Sequence, residues 1–204
     1  MPSPQQSTPA ASARWGVVPF ITAWSSEEAP PATIISGERG IAYADETVLD
    51  RDRHGVLWAR NTSSPGVGRP LFKNVHHLRQ RRAMRRLLCQ VCGTPCGTDA
   101  RWLLSAAEYR EDPWPSPVLT SHPPVCPDCV DRSVRLCPHL RDGHVALTAD
   151  RPRPAAVSGI LYHPTILGPA PMRRATLTFD DPLLPWLRAA QLHMRLDDYR
   201  VLAP

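Results

Sequence analysis

Four cysteines fall in two pairs with two residues inside each pair, Cys89-Gln-Val-Cys92 followed by Gly93, and Cys126-Pro-Asp-Cys129. Two intervening residues let a tight turn aim both sulfurs at one point. Two such turns supply the corners of a tetrahedron about 2.3 Å from a central ion. Thiolates are soft ligands and zinc imposes no geometry of its own, so this set has the chemistry of one structural Zn2+. Gly93 relaxes the steric limits of the turn just past the first pair. In the reducing cytoplasm expected for this chain, such spacing favours metal over a disulfide framework. Competing readings are four buried or redox-active thiols and an iron–sulfur cluster, although common ferredoxins space their cysteines in closer runs.

Cys96 and Cys137 remain, the latter in Cys137-Pro-His139. With His139 and either His122 or His144 they have the residue types of a second zinc site. The simpler expectation is two buried apolar thiols, because no second C-x-x-C turn pairs Cys96 with a neighbour.

Upstream of the first pair, the segment from Lys73 to Arg86 carries six basic residues, Lys73, Arg79, Arg81, Arg82, Arg85 and Arg86, and no acidic one. The whole chain has 24 basic and 19 acidic residues, so its net charge of +5 originates here. A helix with arginines on one face can neutralise several phosphates, and the guanidinium fork suits phosphate or guanine. DNA or RNA is therefore a candidate partner. The alternative partner is an acidic protein, whose carboxylates the same arginines would pair. The bland reading is a solvated helix face in a chain that uses Arg in place of Lys.

Four cysteine ligands leave a zinc ion no open position for activating water, so hydrolysis at this metal is not expected. HNH-type endonucleases can also flank their site with two C-x-x-C pairs, and a degenerate relative of these is a third reading. Between Cys92 and Cys126, however, His122 is the sole histidine and no Asp-His step precedes it. Gly-x-Ser-x-Gly, Walker and His-Glu-x-x-His motifs are absent, and Gly66-x-Gly68 lacks the Lys-Ser/Thr of a phosphate loop. Asp180-Asp181 and Asp197-Asp198 read as structural or solvated carboxylates.

The elements that must hold the thiols are short, because 24 prolines interrupt the chain. Residues 1–14 read as a disordered tail and 15–72 as a β-rich segment, with strands near Trp15–Trp24, Thr33–Tyr43 and Gly55–Arg60. The Gly/Ser/Pro cluster Asn61–Arg69 is a candidate boundary. Residues 73–144 hold the basic helix, expected over Asn74–Leu88, and the metal module. A strand is expected at Ala100–Ser105, a loop at Glu111–Pro124 and a short helix at Asp128–Leu136. Residues 145–204 carry strands near Val145–Thr148, Val157–Tyr162 and Ala175–Phe179. Leu183, Leu187, Ala190 and Met194 at helical spacing then predict a C-terminal helix capped by Asp181. Residues 15–204 can form one domain. The first 13 residues lack the basic and apolar regions of a secretory signal, and no apolar stretch is long enough to span a membrane, so a cytoplasmic protein is expected.

Three stretches together, Arg79–Gly93, His122–Cys129 and Cys137–Arg141, resemble a group of uncharacterised actinobacterial proteins with a double C-x-x-C motif. Val18-Pro-Phe-Ile-Thr-Ala-Trp and Ile41-Ala-Tyr-Ala-Asp are similar as well. The resemblance implies a cytoplasmic bacterial setting, with a secondary-metabolism or mobile-element context; it brings no established function and supplies no catalytic residues to carry over. The expected fold class is α+β: short antiparallel strands, a central four-cysteine module of zinc-ribbon or treble-clef type, and a closing helix.

Overall fold

The computed structural model describes residues 15–37, 39–111 and 116–202; the tail read as residues 1–14 lies outside them. Runs rich in β-branched, aromatic and leucine residues, punctuated by Pro and Gly, form most of the strands. In chain order the elements are β1 (Thr22–Trp24), β2 (Ile34–Gly37), β3 (Gly40–Tyr43), β4 (Leu57–Trp58), β5 (Pro70–Val75) and helix α1 (His77–Arg86). Next come β6 (Trp102–Ser105), α2 (Ala106–Glu111), β7 (Val118–Thr120), α3 (Pro127–Leu136) and α4 (Pro138–Arg141). The chain ends in β8 (His144–Ala149), β9 (Arg153–Thr165), β10 (Gly168–Thr178), β11 (Leu187–Leu196) and β12 (Tyr199–Leu202).

The main sheet runs β10-β9-β11-β4, with β7 also joined to β11. Its pairings are antiparallel except β4 with β11. A second sheet has the order β12-β8-β6, and β1–β5 and β2–β3 form two-stranded pairs. Inward residues of the main sheet (Val157, Leu161, Leu187, Leu192) meet Trp102 and Leu147 of the second sheet in one buried cluster. That cluster also contains Val125, Cys89 and Cys129, so the cysteines sit on the edge of the principal core.

The expected C-terminal helix is not formed. Its residues are β11, a strand inside the main sheet paired to β9 over most of its length. Leu187, Ala189, Leu192, Met194 and Leu196 are buried. A bulge between Ala189 and Gln191 slips the alternation by one residue, and this slip made the apolar positions look helical. LRAAQLHMRL is made mostly of good helix formers, yet partners on both sides override that preference. Gly159 of β9 faces the bulge, where a Cβ would collide with the Arg188 carbonyl. The Pro-rich stretch read as a loop contains β7, which pairs Val118–Thr120 with Met194–Leu196.

Helix α1 is fixed at the edge of β11. Opposite β9, strand β4 covers Arg188 and Ala189 and β7 covers Met194 to Leu196, and on that side the backbone between them lacks a strand partner. The Gln80 amide fills that gap as a peptide group would. Its Nε2 donates to the Leu192 carbonyl (2.8 Å) and its Oε1 accepts from the Leu192 N–H (3.0 Å). The same Nε2 donates to Ser121 O (2.8 Å), just beyond β7. The helix begins later than expected, since Asn74 and Val75 belong to β5 and His76 is the N-cap. His76 accepts from Arg79 N–H at Nδ1 and contacts Thr62 O through Nε2 (2.9 Å), which fixes the neutral Nε2–H tautomer.

Candidate metal centre

The first pair is aimed by the end of α1. Leu87, the only non-glycine with positive φ (48°) among the described residues, turns the chain there. Leu88 N–H then bonds back to Ala83 O (2.9 Å), as in a Schellman ending, with leucine where glycine is usual. Leu88 bridges Pro95, Cys89 N–H donates to Thr94 O (2.7 Å) and Cys96 N–H to Leu87 O (2.9 Å), closing a small hairpin. Inside it Gly93 N–H returns to Cys89 O (2.8 Å) with φ +77°. A Cβ at Gly93 would press on the Phe20 ring, so this glycine is required both by its backbone and by its neighbour. The turn is tied outward as well: Phe20 N–H donates to Val91 O (2.9 Å) and Gln90 N–H to Pro124 O (2.8 Å).

The second pair sits at the start of α3. Val125 exchanges two backbone bonds with Arg101, and Cys126 follows as the N-cap in extended conformation, with Pro127 at the first helical position. Cys129 N–H bonds Cys126 O (3.0 Å), so both sulfurs belong to the first helical turn, where the positive end of the helix favours thiolate. The sulfurs of Cys89, Cys92, Cys126 and Cys129 all lie within 4.8 Å of one another. Cys89 and Cys129 are buried, Cys126 is half-buried and Cys92 is exposed. The Cys92 and Cys126 sulfurs are 3.7 Å apart, and Cys92 Sγ contacts Thr94 Oγ1 at 2.9 Å.

Electrostatics inside the cluster are frustrated without a cation. A hydrogen bond from the Cys96 thiol pulls Cys89 down to about 4, while Cys96, as the donor, is pushed up. Burial raises Cys126 and Cys129, and the charge on Cys89 adds to the opposition. One thiolate forms readily, while Cys126 and Cys129 resist. A divalent cation removes that resistance, because each sulfur then faces two positive charges. The set fits zinc by ligand type and number, and its geometry permits any thiophilic ion of similar size.

The other candidate ligands are not gathered. Cys96 is buried in the hairpin but outside the four-sulfur set, Cys137 joins α3 to α4, and His139 is exposed on α4. His122 Nε2 is 2.8 Å from Glu108 Oε1. Among the described residues, the four thiols are the one set of three or more His, Cys, Asp or Glu side chains placed to share an ion. Ser105-Ala-Ala-Glu108 is a capping box at the start of α2, with Ser105 N–H and Oγ donating to Glu108 Oε2 (2.8 and 2.7 Å). It was visible as Ser-x-x-Glu, and it orients the carboxylate that holds His122. The His122 hydrogen bond keeps Glu108 down at about 2.

The basic segment divides. Arg79 turns inward: its guanidinium grips both oxygens of buried Glu27 (2.5 and 2.6 Å) and the Thr22 carbonyl (2.7 Å). Arg81 stacks on the Trp58 ring at 4.3 Å, and Arg85 pairs with Asp52 at 2.7 Å. Lys73 stands on β5, outside the helix, and is exposed, as are Arg82 and Arg86. Compared with family models, curated proteins and solved structures, the chain matches none.

Proposed function

We propose that this is a noncatalytic, zinc-stabilised nucleic-acid-binding protein, with one structural Zn2+ held by Cys89, Cys92, Cys126 and Cys129. The observation that carries the metal assignment is the approach of four thiol sulfurs to within 4.8 Å from two rigid turns. A hairpin turn supplying one pair and the first turn of a helix supplying the other is the treble-clef layout; a zinc ribbon would draw both pairs from hairpin turns. When bound, zinc would cross-link the end of α1 to the start of α3 and, with four sulfur ligands, offer no position for a reacting water.

The nucleic-acid part rests on the cations that the fold leaves uncommitted. Lys73, Arg82 and Arg86 are exposed, and among the described residues no carboxylate pairs with them. Metal analysis of the purified chain together with duplex-DNA and RNA titrations at several salt concentrations tests the reading. It expects one zinc per chain and an affinity that falls steeply with salt. Salt-insensitive or undetectable binding, with capture of one acidic protein instead, would support the alternative of a zinc-stabilised interaction adaptor.

A further inference from the structure

The longest strand pair of the main sheet extends beyond its support. From His163 to Leu167 every residue is exposed, and the tip residues Ile166 and Leu167 are 101% and 95% exposed. From Arg151 through Phe179 the sequence holds four arginines and no carboxylate. Arg151 and Arg153, at the base, are paired with Asp198 and Asp197. Arg173 and Arg174, further out on β10, have no carboxylate partner among the described residues. Register pairs Arg173 with Leu161 and Arg174 with Ile160, so these two exposed arginines leave opposite faces of the ribbon, while Arg188, beside Ile160 on β11, is half-buried with the Tyr162 ring at 5.8 Å.

We infer that the β9–β10 ribbon is the surface through which this chain engages double-stranded nucleic acid: Arg173 and Arg174, on opposite faces of the ribbon, meet the phosphates that flank the major groove, and Ile166 with Leu167 enters that groove. The inference rests on the nucleic-acid reading above and moves its main contact from α1 to the ribbon. The major groove admits a two-stranded ribbon, and apolar side chains make contact there with the methyl groups of thymine. Pro164 stands opposite Pro169, and Pro171 lies close by on the edge strand. These prolines stiffen the stem and withhold N–H donors, so the edge is poorly suited to adding another chain's strand. A lipid surface calls for a broader apolar face with Trp or Tyr at headgroup level. The apolar tip here is two residues wide, and the nearest aromatic side chain on these strands, Tyr162, is buried.

Anisotropy titration of the zinc-loaded full chain against a labelled DNA duplex tests this, with thermal melts confirming that each variant folds. R173Q/R174Q is expected to weaken binding roughly tenfold or more and to lower the salt slope by about 2. I166S/L167S is expected to weaken binding several-fold with the slope unchanged. Wild-type affinity in both variants, with loss in R82Q/R86Q, would overturn the ribbon assignment and leave the nucleic-acid reading standing. Failure of the wild-type chain to bind duplex DNA or RNA would overturn both. Sedimentation with phosphatidylserine vesicles, abolished by I166S/L167S in a chain that ignores the duplex, would reassign the tip to lipid.

Discussion

At the scale of single residues, the thiols and the buried ion pair carry different loads. Substituting Cys89→Ser or Cys129→Ser removes a ligand from the buried side of the cluster and is expected to abolish zinc retention. Cys96→Ser should keep one zinc per chain, because Cys96 is outside the set of four sulfurs that lie together; atomic absorption on the variants distinguishes the two. Arg79 belongs to the fold. Its partner Glu27 also accepts from the Trp24 and Ser64 amides (2.8 and 2.9 Å), so the N-terminal segment, the Asn61–Arg69 stretch and α1 meet at one carboxylate. Arg79→Leu leaves that carboxylate buried and unpaired and should cost about 3–5 kcal/mol in denaturant unfolding. Glu27→Gln combined with Arg79→Leu should recover part of the loss. Direct weakening of nucleic-acid affinity by Arg79→Gln, with stability unchanged, would contradict the inward role.

Among elements, α1 is held by Gln80 standing in for a missing strand. Gln80→Ala strips two partners from the Leu192 backbone in a buried place and is expected to destabilise by about 2–4 kcal/mol. Hydrogen exchange should show the loss first at Leu192. Gly159→Ala should also destabilise, since the bulge of β11 brings the Arg188 carbonyl against that Cα. Legibility in the sequence follows the range of the interactions. The paired cysteines, Gly93 and the Asp128–Leu136 helix were readable because turn geometry and helix entry are local. Strands β3, β6, β8 and β9 were readable because their apolar runs are bounded by turn residues. β11 was misread because its bulge breaks the period of two and its residues favour helices; only the strands beside it decide otherwise. Arg79 was placed on the solvent face because helix periodicity gives relative positions, while its buried partner Glu27 lies 52 residues earlier. Nothing in Cys96 itself announced a hydrogen bond to Cys89, which depends on how the hairpin closes.

For the whole molecule, acid sensitivity follows from half-buried histidines. Burial holds His77 and His193 down at about 4, below the ordinary 6.5. Their unfolded forms therefore take up protons first as pH falls. Stability is full above about 6.5 and is lost progressively from there to about 4, with more protons bound on unfolding. Glu27 acts lower: burial alone would raise it, but Arg79 and the two amides hold it below its ordinary 4.5. Its contribution is present above 4.5 and is lost as pH drops through the folded value. Urea midpoints measured across this range, with H77Q/H193Q as the control, should show the slope between 6.5 and 4 flattened in the variant. Zinc bound as proposed would add to the same whole-molecule stability, because the four thiols join the end of α1 to the start of α3 beside the principal core. Chelation should lower the melting temperature, and added zinc should restore it.

The most direct test is the metal content of the purified chain under reducing conditions, determined together with the number of thiols that react with a colorimetric reagent before and after chelation. The account predicts one zinc per chain, and four additional thiols released to the reagent when the metal is stripped. No bound metal, or zinc retained after Cys89→Ser and Cys129→Ser together, would contradict it.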